Sequence, residues 1–142
     1  MSLGLVVILA ARQVPSSEIW RRALEARSVP IEFPQSLDFA HGMGFVPVRV
    51  QGKDSGVYFG RESLAELVQY YPPLSDVRLD SPVAFSLRFH DGLECACAAY
   101  SAALLVGKFQ ALAFSLQVAS FLSEAQLIEA AKACARAGRD EP

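Results

Sequence analysis

The chain reads as an α+β domain, a single mixed, mainly antiparallel sheet with helices packed on a face, and three observations predict it. Stretches alternating with period two, such as Val83 to Phe89, recur beside stretches with helical spacing, such as Leu64, Leu67, Val68 and Tyr71. The connections between them are short, which favours one sheet over separate layers. Finally, 142 residues of which 52% are hydrophobic supply enough material for one core, and no repeat or long linker divides them. The expected unit is 1–142, with residues 72–82 and their three prolines as the only candidate boundary.

The elements follow in order. Gly4 to Ala11 is an apolar run with Val6, Val7 and Ile8, suited to a strand covered on both faces. Pro15, Ser16, Ser17 and Glu18 then carry helix-start chemistry ahead of Ile19, Trp20, Ala23 and Leu24 at helical spacing, and Pro30 bars continuation. Ile31 to Phe33 is a short strand. Residues 34–44 have loop composition, and FVPVRVQ, a turn at GKDSG and VYF read as a hairpin. Pro47 marks its first arm as an edge or a bulge, because proline removes a ladder donor. Residues 62–71 form an amphipathic helix stopped by Pro72 and Pro73. Val83, Phe85, Leu87 and Phe89 share the core side of the next strand. Residues 92–107 make a buried helix, and a further strand lies near ALAFSLQ. The last helix, roughly 124–137, opens on the capping box SEAQ, buries Ala125, Leu127, Ile128, Ala131 and Cys134, and ends at Gly138.

Composition narrows the functions. Thirteen Lys and Arg against 15 Asp and Glu, interspersed, leave no basic stripe for nucleic acid. The apolar run from Leu3 to Ala11 is well short of the ~20 residues that span a bilayer, no Lys or Arg precedes it and no small-residue cleavage site follows it. A cytoplasmic protein without membrane contact is expected. Three cysteines, Cys95, Cys97 and Cys134, make an odd count without secretory context, so free thiols are expected rather than a disulfide framework.

The richest chemistry lies in FHDGLECACAAY. Asp91 and Glu94 stand three apart as a helix cap does. Cys95 and Cys97 fall about 200° apart on a helix, on opposite faces, so they cannot share a metal. Cys95 near a helix N-terminus, with His90 as its base, is the one catalytic pair to weigh, beside the plainer reading of buried cysteines in a capped helix. FAHGMGF lacks the context of a phosphate loop, so Gly42 and Gly44 read as turn residues with positive φ and His41 as a loop histidine. Two histidines 49 residues apart, no paired CxxC and no GxSxG support neither a metal site nor a serine hydrolase, and no cofactor is expected. Trp20, Tyr58, Tyr70, Tyr71 and Tyr100 read as core or core-edge aromatics.

A protein without an assembled catalytic set still acts by covering another. Asp38, Asp54, Glu62, Glu66, Asp76 and Asp80 would form an acidic face, interleaved with Arg49, Lys53, Arg61 and Arg78, and Asp54, Tyr58, Glu62 and Glu66 are the candidate partner-binding residues. The opening LGLVVILAAR into PSSEIWRRALEA, the GFVPVRVQGKDSGVYF hairpin and the lack of a catalytic motif together resemble the small α+β immunity proteins that bacteria carry against secreted toxins. The resemblance spans most of the chain as architecture and carries over no contact residue. It implies one-to-one binding of a cognate toxin domain in the cytoplasm, blocking its active site. Two other expectations stand beside it: a small cysteine- or histidine-dependent enzyme using Cys95 and His90, and a domain that dimerises through the Pro47 edge.

Overall fold

A computed structural model describes residues 3–26 and 29–140, the side chains of 139 and 140 excepted. Seven strands form one curled sheet of order β2-β3-β4-β5-β1-β6-β7, in which each neighbouring pair is antiparallel. The strands are β1 (Gly4–Ala10), β2 (Ile31–Glu32), β3 (Gly44–Val50), β4 (Lys53–Glu62), β5 (Pro82–Arg88), β6 (Leu112–Ser115) and β7 (Ser120–Leu122). The helices are α1 (Ser17–Ala26), α2 (Leu64–Tyr70), α3 (Gly92–Phe109) and α4 (Glu124–Asp140). The α+β class with one antiparallel sheet is therefore as the sequence predicts.

The apolar opening run is the central strand. Each residue of β1 is buried, because β5 and β6 flank it and side chains cover both faces. Its odd positions Leu5, Val7 and Leu9 join Phe85, Leu87, Phe59, Trp20 and helix α3 in the main core. Its even positions Val6 and Ile8 meet Ala84, Phe114 and Leu74 in a second, smaller core on the opposite face. Helix α2 closes that second core with Leu64, Leu67 and Val68. The helices thus lie on both faces, with α1, α3 and α4 against one and α2 against the other. The segment 72–82 crosses the smaller core as a 3-10 turn, Pro72–Asp76, whose Leu74 is buried, and the strands on either side of it, β4 and β5, are hydrogen-bonded neighbours.

Several local expectations are corrected. The hairpin turn is two residues, Gln51 and Gly52, both at positive φ, so Lys53 to Gly56 belong to β4 and pair with β3. That is the primed turn whose twist matches a right-handed sheet. Strand β7, three residues after a tight turn, was not expected because a run that short carries no period. Ile19 is exposed, although Trp20 and Ala23 of the same helix are buried. Residues 27 and 28 lie outside the described residues. In α4 Ala125 is exposed, and Ala135 takes the buried place instead. Gly138 does not end that helix. A Cβ there would stand 2.8 Å from the Leu93 amide, and one on Gly92 would stand 2.6 Å from the Gly138 amide. These glycines let the start of α3 and the end of α4 touch backbone to backbone.

The same crossing corrects the reading of the cysteines. Helices α3 and α4 run antiparallel, with Cys95 in the first turn of one and Cys134 near the end of the other, and a disulfide joins them across a Cα separation of 5.7 Å. The two residues are 39 apart in sequence, so only the packing of the helices brings them together. Cys97, two residues on, points the other way into the sheet and stays a buried free thiol, as the 200° argument predicts. Helix α3 is the one described helix long and apolar enough to cross a bilayer, and 61% of that stretch is buried inside the fold.

Candidate functional site

The smaller core is covered by α2 and by the connector that follows it. Beyond it, toward β4 and β3, no described element covers the outer face of the sheet. Because side chains alternate along a strand, that face carries Asp54, Gly56, Tyr58, Gly60 and Glu62 from β4, with Phe45, Pro47 and Arg49 from β3. Val57, Phe59, Val48 and Val50 turn the opposite way into the main core.

Two aromatic rings dominate the uncovered part. Phe45 and Tyr58 are directly paired across the strands, and their rings meet edge to face at 5.1 Å, with 49% and 38% of their surfaces exposed. His90, in the turn after β5, adds a third ring edge-on to Tyr58 at 4.8 Å. Its backbone N–H donates to Glu94 Oε1 at 2.8 Å, and its Nδ1 stands 3.4 Å from the same oxygen. The three rings form a row across the face, held from one side by a hairpin and from the other by a capped helix start.

The capping box is the answer to the chemistry-rich stretch. Asp91 is the N-cap of α3 and accepts from the Glu94 N–H at 2.8 Å, while Glu94 reaches back to His90. Asp91 and Glu94 are thus engaged by the backbone. Cys95, the weighed nucleophile, is bonded to Cys134, and His90 turns toward Tyr58 and Glu94. A nucleophile needs a thiolate, and a sulfur in a disulfide is not one. Cys97 is fully buried, with Sγ 4.0 Å from the Val48 carbonyl, and burial pushes its thiol up to about 11. Among the described residues no three metal-ligating side chains cluster.

The acidic candidates separate into distinct settings. Asp54 sits beside the hairpin turn, where Arg49 Nε donates to it at 3.1 Å; the same Arg49 lies 3.7 Å from Glu32. Glu62 is at the far end of β4, eight residues away and so roughly 27 Å along the strand. It accepts from Arg88 at 3.1 Å, half-buried, and shares a shallow hollow of about 110 Å³ with Glu66 and Tyr70. Asp38 is folded into its own turn. His41, aided by the Ala40 and His41 amides, holds its carboxyl below the usual range, and His41 itself projects into solvent. Asp76 and Asp80 lie exposed on the connector. The expected acidic face is therefore two ion-paired carboxylates far apart, with the Glu66 charge beside one of them, and the surface between them is aromatic.

In the 34–44 loop, Gly44 has the expected positive φ, 91°, but Gly42 does not. The Gly42 N–H donates to the Asp38 carbonyl at 2.6 Å, and a Cβ on Gly42 would stand 2.5 Å from that same oxygen, so the close approach requires glycine. Of the other aromatics, Trp20 and Tyr100 are core residues, Tyr71 edges the smaller core, and Tyr70 is exposed. Pro47 pairs with Gly56 on one side; on its other side no described strand pairs with it, because β2 reaches only Arg49 and Val50.

Phe45 and His90 are the members of the ring row that the sequence reading did not single out as a surface. The signal for Phe45 was available in the alternation of FVPVRV, which puts Phe45 opposite in sense to the buried Val48 and Val50. Comparison with known proteins finds no matching family model, no matching curated protein and no matching solved structure.

Proposed function

We propose that the chain is a non-catalytic protein-binding domain of the immunity type, which binds and blocks a cognate bacterial toxin in the cytoplasm of the cell that makes it. The observation that carries this reading is the row of Phe45, Tyr58 and His90 on a sheet face that no described element covers. Rigid aromatics with few rotatable bonds are the side chains that most often dominate protein interfaces, because little conformational freedom is lost when they are buried. Here the strand pairing and the helix cap fix them before any partner arrives, which lowers the cost of association. The partner this face suits offers an apolar hollow for two rings and, at the α2 end, a Lys or Arg to meet Glu66 beside the Glu62 and Arg88 pair. Asp54 and Arg49 would stand at the rim, where charges steer encounter more than they hold the complex.

The test is protection. Secreted effector domains of the producing strain are co-expressed with the chain in a sensitive host, and survival is scored. One effector is neutralised and co-purifies at one to one. The double variant Phe45→Ala, Tyr58→Ala loses protection, and Asp54→Lys slows association at low salt. Protection that survives the double variant would move the interface off this face, and a chain that neutralises none of the effectors would end the reading. A dimer that dissolves on changing Pro47 would favour self-association instead.

A further inference from the structure

On the other face of the sheet, between the start of β1, the end of β6, α3 and α4, there is a half-open cavity of about 180 Å³. Its walls are Leu5, Phe89, Ala99, Leu122, Leu127 and Ala130, almost all hydrocarbon, and the Cys95 end of the disulfide closes one side. Leu5, Phe89, Ala99 and Leu127 are buried and form the floor, while Leu122, Ala130 and Gln117 reach solvent at the mouth. The space exists because alanines at 99 and 130 face a strand end where larger side chains would fill the gap.

One polar side chain lies in that floor. Ser115 is only 6% exposed, and both of its bonds are long: its hydroxyl donates to Gln117 Oε1 at 3.5 Å and accepts from the Val118 N–H at 3.4 Å. Good O–H···O bonds lie near 2.7–2.8 Å, so this hydroxyl is weakly satisfied for a buried group. A buried water needs two to four polar partners, and here the Ser115 and Gln117 side chains supply the bare minimum. A molecule that is mostly hydrocarbon with one oxygen fits the wall better. A dry apolar cavity of about 150 Å³ is enough to bind benzene.

We infer that this cavity is a binding site for a small uncharged molecule, a hydrocarbon body of roughly six to eight heavy atoms carrying a single hydroxyl or carbonyl that pairs with Ser115. The inference is independent of the toxin-binding reading, since the cavity and the ring row lie on opposite faces of the sheet.

The probes are phenol and benzene, titrated into the full-length oxidised protein while the leucine methyl groups are followed by NMR. Both give saturable shifts at millimolar concentration, confined to Leu5, Leu122 and Leu127, with phenol the tighter by about three- to ten-fold, the worth of one hydrogen bond. Ser115→Ala brings phenol down to the affinity of benzene. Ala130→Phe, at the mouth, abolishes both. Should that variant fold poorly, Leu122→Trp blocks the same opening. Shifts that never saturate, that spread beyond these leucines, or that persist in a blocked variant whose unfolding remains cooperative would overturn the assignment. Equal affinity of the two probes in the unaltered protein would remove Ser115 from it.

Discussion

The ring of Phe45 lies over Gly56, on the neighbouring strand and two pairs along, so closely that a Cβ on Gly56 would collide with it and would stand 2.7 Å from the Val46 carbonyl. Glycine in a strand normally weakens it, and an aromatic laid across the bare backbone offsets the loss. Gly56→Ala forces the ring off its seat and strains the strand, lowering stability by about 1–3 kcal/mol. Urea unfolding measures it. In a Phe45→Ala background the same change is less harmful, because only the Val46 carbonyl remains in the way. Equal losses in the two backgrounds would show that the backbone, and not the ring, sets the requirement for glycine.

That contact also marks where the sequence stops being informative. The alternation of Val83 to Phe89, the unbroken apolar run of β1 and the caps of α3 and α4 are local signals, and each was readable: Ser123 accepts from the Gln126 N–H at 3.1 Å and Gln126 reaches back at 2.8 Å, as SEAQ implies. What could not be read depends on which elements touch. Gly92 and Gly138 look like a helix start and a helix stop until the two helices are seen crossing there. Cys95 and Cys134 look like free thiols for the same reason. The acidic residues looked like one face because sequence distance hides strand length, which separates Asp54 from Glu62, and it hides the arginines that pair with each. The ring row needs three pieces of chain, so only Tyr58 of its members was marked as a binding residue.

The disulfide between Cys95 and Cys134 closes a loop whose ends are 39 residues apart, and in the chain-entropy picture such a link stabilises by about 4 kcal/mol, within the usual range of roughly 2–4. Reduction, or Cys134→Ala, lowers the urea midpoint accordingly and loosens the end of α4 first. The thiol count gives an independent check. Alkylation of the denatured, unreduced protein labels one cysteine, Cys97, and prior reduction raises the number to three. Three labels without reduction would restore the free thiols expected from an odd cysteine count.

Cys97 supplies a pH dependence whose sign follows from its burial. The folded protein pushes this thiol from the ordinary 9.0 up to about 11, chiefly because the low-dielectric core disfavours the thiolate, with the Glu94 and Asp91 charges adding to the effect. The unfolded chain therefore releases the proton first as pH rises. The group's contribution is complete below pH 9 and is lost between about pH 9 and 11, amounting to about 3 kcal/mol at roughly 1.4 kcal/mol per unit. Tyr100, whose hydroxyl is also pushed up by burial, acts in the same direction at higher pH. Unfolding free energies measured from pH 8 to 11 should fall along this course, and Cys97→Ala should flatten the part between 9 and 11 while leaving the tyrosine's share. A slope unchanged by Cys97→Ala would mean that the thiolate finds solvent or a cation in the folded state, and that the space between α3 and β3 is open enough to admit one.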